Sequence, residues 1–110
     1  MYIFVSHTQT VTLEEPDDCT RFHMEIQGLS EDIVGQALAQ EDVGLLANPA
    51  LAWIKIEALR RLAQGRVQPD WTTRFEGMLH YAERKGWLSN DKASVSGHCI
   101  WKDSTENSPS

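Results

Sequence analysis

The sequence predicts an α+β fold: a small, mainly antiparallel sheet of three to four strands with about three helices packed on one face. Residues 21–26 alternate polar and apolar side chains, which is typical of a strand covered on one side. Two later segments, after Ser30 and after Asp70, repeat apolar residues at helical spacing. The chain has 110 residues, of which 41% are hydrophobic, enough for one core. We therefore expect a single domain over residues 1–103 and a disordered, polar tail over 104–110.

The N-terminal region holds two β-prone stretches, 2–5 and 10–13, around a turn-permissive run. Residues 1–18 are therefore expected to form a β-hairpin, or an extended arm that pairs with a partner subunit. The sequence leaves both alternatives open.

The first helix is predicted directly after the alternating strand. Gly28 ends that strand, and Ser30 is a favourable N-cap. Glu31 and Asp32 follow in the first turn, where carboxylates complement the helix dipole. We expect this helix to end before Gly44.

Residues 48–65 allow two interpretations. Asn48 and Pro49 could begin one long helix that ends at Gly65. The β-branched and aromatic residues that follow Pro49 favour a strand instead. We choose a strand at about 51–56, followed by a helix over 57–64.

The last helix has the clearest signals in the chain. Asp70 is expected to cap it, its apolar residues recur at three- and four-residue spacing, and Gly86 is a typical left-handed terminator. We predict a helix over 71–85. A turn then leads to a closing strand over 93–101.

The charge is distributed unevenly along the chain. The net charge is −6 at pH 7, and residues 1–50 carry nine acids against one base. This acidity weighs against a strong phosphate-backbone binder, because nonspecific nucleic-acid affinity depends on cations. One basic patch is nevertheless predicted in the second half of the chain: Lys55, Arg60, Arg61 and Arg66.

The cellular compartment of the protein and the redox state of its cysteines can also be predicted from the sequence. There is no apolar run of membrane-spanning length and no recognisable secretory signal, so we expect a cytoplasmic protein that does not contact membranes. The two cysteines, Cys19 and Cys99, are expected to be free thiols in a reducing compartment. A single bridge between them stays open as an alternative.

Four residues have side chains of the type that binds zinc: Cys19, His23, His98 and Cys99. Adjacent strand residues point to opposite faces, so His98 and Cys99 cannot easily share one ion. In an extended chain Cys19 and His23 are about 13 Å apart, too far for one zinc ion. We therefore predict no metal and no cofactor. No catalytic residue is recognisable either, and we lean against an enzyme.

The remaining candidates are aromatic and imidazole side chains on predicted strands. Trp53 and Trp101 would form an apolar patch if they fall on an uncovered sheet face, the usual mark of a partner or ligand surface. His23 and His98 could meet on that face if their strands pair. The predicted ligand or partner surface therefore comprises Trp53, Trp101, His23 and His98.

The preferred hypothesis is a non-catalytic interaction or regulatory module. It would act through an exposed sheet face or an N-terminal strand, with a protein partner or a second copy of itself. A second hypothesis is a small-molecule binder or enzyme with a Trp- and His-lined cleft.

A third hypothesis rests on a resemblance. From Ser30 onward the predicted order of elements resembles the winged-helix family of nucleic-acid-binding regulators. The run 81–88 is similar to the helix end that leads into a wing, with residues 89–93 as the wing tip. The resemblance implies DNA contacts from the helix 71–85. The exposed face of that helix mixes acids and bases and is nearly neutral, which disfavours nucleic acid.

Overall fold

The computed structural model describes residues 1–102, which form six strands and three helices. The tail predicted at 104–110 lies outside the described residues. The elements in chain order are β1 (Tyr2–Val5), β2 (Val11–Glu14), β3 (His23–Gln27), α1 (Glu31–Gln40), β4 (Gly44–Asn48), β5 (Leu51–Lys55), α2 (Ile56–Ala63), α3 (Trp71–Arg84) and β6 (Ser94–Lys102).

The six strands form one mixed sheet in the order β2-β1-β3-β6-β5-β4. β1 pairs with β3, and β3 with β6, in parallel. The pairs β1–β2, β5–β6 and β4–β5 are antiparallel. The predicted sheet was therefore wrong in size and in kind: it has six strands instead of three or four, and it is partly parallel.

Two physical reasons explain the error. β4, with the sequence Gly-Leu-Leu-Ala-Asn, has neighbouring leucines instead of alternation, and a bulge interrupts its pairing after Leu46. Parallel pairing depends on where the connections return the chain, and local sequence periodicity carries no information on that.

The core lies on one side of the sheet. Ile3, Met24 and Cys99 are register partners across β1, β3 and β6, and all three are buried. Ile54 is buried opposite Val95 in the same way. The buried residues of all three helices belong to the same hydrophobic cluster, so the helices cover this face.

The predicted helix ends are mostly confirmed. The hydroxyl of Ser30 accepts a hydrogen bond from the amide of Ile33 at 3.4 Å. Gly86 has a φ of +77°, and the amide of Trp87 donates to the carbonyl of Ala82 at 2.8 Å, which closes α3. Asp70 stands at the N-cap of α3 but makes no capping bond, because its carboxylate pairs with Arg74 one turn later, 3.2 Å away.

The strand-then-helix interpretation of 48–65 is confirmed. β5 ends at Lys55 and α2 begins at Ile56 without a loop between them. The amide of Ile56 donates to the carbonyl of Ala93 at 2.9 Å, which holds this corner against the chain entering β6.

The architecture departs from a winged helix after α3. A bridge between Leu88 and Val95 closes the turn that was expected as a wing tip. Val95 belongs to β6, which lies inside the sheet between β3 and β5. α3 itself packs on the sheet through Trp71, Phe75 and Leu79, which are buried.

No helix among residues 1–102 has the length and apolar character needed to cross a membrane.

Candidate functional site

The sheet side opposite the helices carries no described element and is called here the uncovered face. Its side chains are those that alternate with the core residues along each strand. They include Tyr2, Phe4, Thr12, Glu14, His23, Glu25, Leu45, Leu51, Trp53, Ser96, His98, Ile100 and Lys102.

One row of register partners crosses the middle of the uncovered face. Tyr2 pairs with His23, His23 with His98, and His98 with Leu51. The rings of Tyr2 and His23 stack with centroids 4.8 Å apart and planes at 15°. The row therefore reads Tyr, His, His, Leu across four adjacent strands.

A second set of contacts surrounds Glu25 on the same face. His23 Nε2 lies 2.8 Å from Glu25 Oε2, and Lys102 Nζ lies 3.0 Å from Glu25 Oε1. Burial acts to raise the pKa of Glu25, but the hydrogen bonds from His23 and Lys102 outweigh it, and the pKa falls below its ordinary value. Burial, reinforced by the nearby Glu25 carboxylate, raises the pKa of Tyr2.

Apolar side chains flank these polar groups. Trp53 is half-buried and pairs with Leu45, which is 55% exposed at the sheet edge. Ile100 is 38% exposed in the middle of the face, as the register partner of Glu25. Phe4 is half-buried on β1, on the other side of Glu25. The uncovered face thus combines an aromatic side, a polar centre and an aliphatic–tryptophan side.

The structure separates the two candidate tryptophans. Trp53 lies on the uncovered face. Trp101 points to the same side of β6 as Val95 and Cys99 and packs against the core. The indole N–H of Trp101 donates to the carbonyl of Pro49. Of the four predicted surface residues, Trp53, His23 and His98 share a face and Trp101 does not.

All four residues of the predicted basic patch form ion pairs or hydrogen bonds within the chain. Lys55 pairs with Asp42, and Arg60 pairs with Glu76 at 2.5 Å. Arg61 donates to the carbonyl of Glu41 at 3.1 Å, and Arg66 donates to that of Leu62 at 3.3 Å. The contacts of Arg60 and Arg61 tie α2 to α3 and to the end of α1. The ion pairs of Lys55 and Arg60 reduce the charge available to a phosphate backbone.

The two cysteines are both free thiols. Cys99 is buried on the core side of β6, and burial raises its pKa to about 11. Its neighbour His98 points to the opposite face, as the alternation predicted. Among residues 1–102 no group of three or more potential ligands has the arrangement of a metal site.

Tyr2, Phe4, Glu25, Leu45, Leu51 and Ile100 were missed as candidates. The first three lie on β1 and β3, where they alternate with the buried residues Ile3, Met24 and Ile26. This alternation indicates that they point away from the core, and it would have identified them once one face was known to be uncovered. Leu45 had no such signal, because its strand was not predicted.

A hydrogen-bonded carboxylate can orient an imidazole for acid–base chemistry. Here the second oxygen of Glu25 is held by Lys102. Neither His23 nor Glu25 lines any of five surface cavities found in the described chain.

Comparison with protein-family models, with curated proteins and with solved structures finds no match for this chain.

Proposed function

We propose that this chain is a non-catalytic interaction module that forms a homodimer through the uncovered face of its sheet. The observation that carries the proposal is the central row of Tyr2, His23, His98 and Leu51. The order of residue types is the same in both directions along the row: a residue with a large apolar side chain, two histidines, and a second residue with a large apolar side chain.

The sheet order supports a two-fold arrangement. β1 and β5 lie equally far from the midline between β3 and β6. A two-fold axis along the strands at this midline brings β1 of one copy over β5 of the other. Tyr2 then faces Leu51 of the second copy, and His23 faces its His98, with the sheets about 10 Å apart.

The charge of the face also supports contact between identical copies. The chain as a whole carries −6, which opposes self-association. At the centre of the face, however, Glu25 is already paired with His23 and Lys102. Stacking two such faces therefore brings together compensated charges and apolar side chains at their centres, with Glu14 at the outer edge on β2.

The dimer is expected to be weak and reversible. The face is polar along its midline, and a small sheet face of this kind buries less area than an obligate interface. Because both cysteines are free thiols, we place the module in the reducing cytoplasm.

Sedimentation velocity from micromolar to millimolar concentration tests the proposal. The wild-type chain is expected to shift reversibly from monomer to dimer. Ile100 is the register partner of Glu25 and, in this two-fold arrangement, also faces Glu25 of the second copy. Ile100→Glu therefore opposes like charges across the interface and is expected to weaken the dimer at least about tenfold.

A matched control is Tyr81→Glu, since Tyr81 is 47% exposed on α3, in the helix layer. It introduces the same charge away from the proposed interface and should leave the association within about twofold of wild type. A wild-type chain that stays monomeric at every concentration, or equal effects of the two glutamate variants, overturns the proposal.

A further inference from the structure

The edge of the sheet at β4 leaves backbone groups without a neighbouring strand. Among residues 1–102, β4 pairs only with β5 and is last in the sheet order. The amide of Lys55 donates to the carbonyl of Val43 at 2.8 Å, so the backbone groups of Val43 point toward β5. In an antiparallel pair the backbone groups of successive residues point alternately toward and away from the partner strand. By that alternation Gly44 and Leu46 direct their N–H and C=O groups away from β5.

A groove runs along this edge. It lies between α1 and β4, has a volume of about 520 Å³, and is lined by Glu31, Asp32, Gly35 and Gln36 on the helix side. Leu46, Ala47 and Asn48 line the strand side. A Cβ added to Gly35 would meet nothing within 4 Å, so the helix wall is open at that point.

β4 also lacks the usual protection of an edge strand. Natural edges are blunted by lysine, proline or inward-pointing charge. The strand Gly-Leu-Leu-Ala-Asn has none of these, and its one protective feature is the bulge after Leu46. Its first three residues therefore present a regular, uncharged edge.

The charges of the groove select the kind of strand that fits. Glu31 and Asp32 are exposed and line the groove, and no lysine or arginine lines it. On the other side of the same edge, Leu45 exposes an aliphatic side chain on the uncovered face. An added strand thus meets carboxylates on one face and an apolar side chain on the other.

We propose that the β4 edge binds an extended basic peptide segment of a partner protein as a seventh strand of the sheet. The outward groups of Gly44 and Leu46 pair with the main chain of the peptide. Alternate lysine or arginine side chains lie in the groove beside Glu31 and Asp32, and the intervening apolar side chains pack beside Leu45.

The test uses the acetylated, amidated heptapeptide Lys-Val-Lys-Val-Lys-Val-Lys and the ¹⁵N-labelled chain. Titration is expected to shift the amide resonances of Gly44, Leu45 and Leu46 in a saturable way. The same peptide with glutamate in place of lysine should not bind. A lysine–valine peptide N-methylated on alternate amides separates strand pairing from charge attraction, because it keeps every cation but loses main-chain donors.

Two helical glycines give matched variants. Gly35→Lys projects a cation into the groove and is expected to weaken peptide binding at least about tenfold. Gly77→Lys adds the same side chain to α3, where a Cβ also meets nothing within 4 Å, and should leave binding unchanged.

Three results overturn the inference: no saturable shift at β4, equal binding of the N-methylated peptide, or equal effects of the two glycine variants. The inference is independent of the dimer. Ile100→Glu should bind the peptide like the wild type, so that failure of one proposal leaves the other testable.

Discussion

His23 Nε2 and Glu25 Oε2 lie 2.8 Å apart on the uncovered face, two residues apart on the same strand. Residues at this spacing point to the same side of a strand, so the contact follows directly from the β-conformation of His23–Gln27. The other carboxylate oxygen of Glu25 contacts Lys102 of β6, and this contact depends on the parallel pairing of β3 and β6.

Acidification should destabilise the chain in part through Glu25. Its pKa is lowered in the folded state, so the unfolded chain binds more protons between the folded pKa and the ordinary value of 4.5. The stability contributed by Glu25 is therefore complete above that value and is lost as the pH falls through the folded pKa. Glu25→Gln is expected to cost about 1–2 kcal/mol near neutral pH and less at acidic pH. Urea denaturation of both chains across this range measures the difference, and a constant difference contradicts the assignment.

Gly44 and Gly35 are expected to respond oppositely to alanine. A Cβ on Gly44 would lie 2.1 Å from the carbonyl oxygen of Trp53, and backbone cannot move away cheaply. Gly44→Ala should cost about 1–3 kcal/mol. Gly35→Ala has free space within α1 and should stabilise the chain by up to about 1 kcal/mol. Chemical denaturation of both variants checks the pair; a stable Gly44→Ala chain would show that β4 is not placed as described.

The two thiols should differ in reactivity. Cys99 is buried with a pKa of about 11, whereas Cys19 is half-buried. Burial also raises the pKa of Cys19, opposed in part by Arg74, whose Nη1 lies 3.9 Å from the sulfur. At pH 8 a thiol reagent should label Cys19 slowly and Cys99 only at the rate of unfolding. The variants Cys19→Ser and Cys99→Ser assign each phase, and rapid labelling of Cys99 in the native chain is the opposite outcome.

Trp71 anchors the loop between β2 and β3 to α3. Its indole N–H donates to the carbonyl of Pro16 at 2.7 Å, and its ring stacks on Phe75 with centroids 4.5 Å apart. Trp71→Phe retains an aromatic ring but leaves the Pro16 carbonyl without this donor, at a cost of about 1–3 kcal/mol. Thermal unfolding measures the loss. Trp87→Phe is the control, since Trp87 is 46% exposed and should change stability by less than about 0.5 kcal/mol.

Local signals were sufficient for several elements. Ser30 and Gly86 marked helix ends correctly because capping and left-handed termination depend on single residues. The change from strand to helix near Lys55 was also predicted correctly, because the residue types before it favour a strand and those after it favour a helix. For the candidate site, the alternation in His23–Gln27 placed His23 opposite the core.

Other features of the fold and of the candidate site depend on contacts between residues that are far apart in the sequence. Whether Trp53 and Trp101 share a face requires the register of β5 against β6, and the bulge in β4 follows from its contact with β5. The groove beside Gly35 requires α1 to lie next to an edge strand that sequence periodicity did not indicate.

The sequence by itself determined an acidic α+β chain with two capped helices and alternating strands, because these features depend on residue type and on neighbours a few positions away. The tertiary structure decided that six strands form one mixed sheet, that Tyr2, His23, His98 and Leu51 form a single row, and that one face lies opposite the helices. Those properties depend on strand order and register, which are set by long-range packing across the whole core.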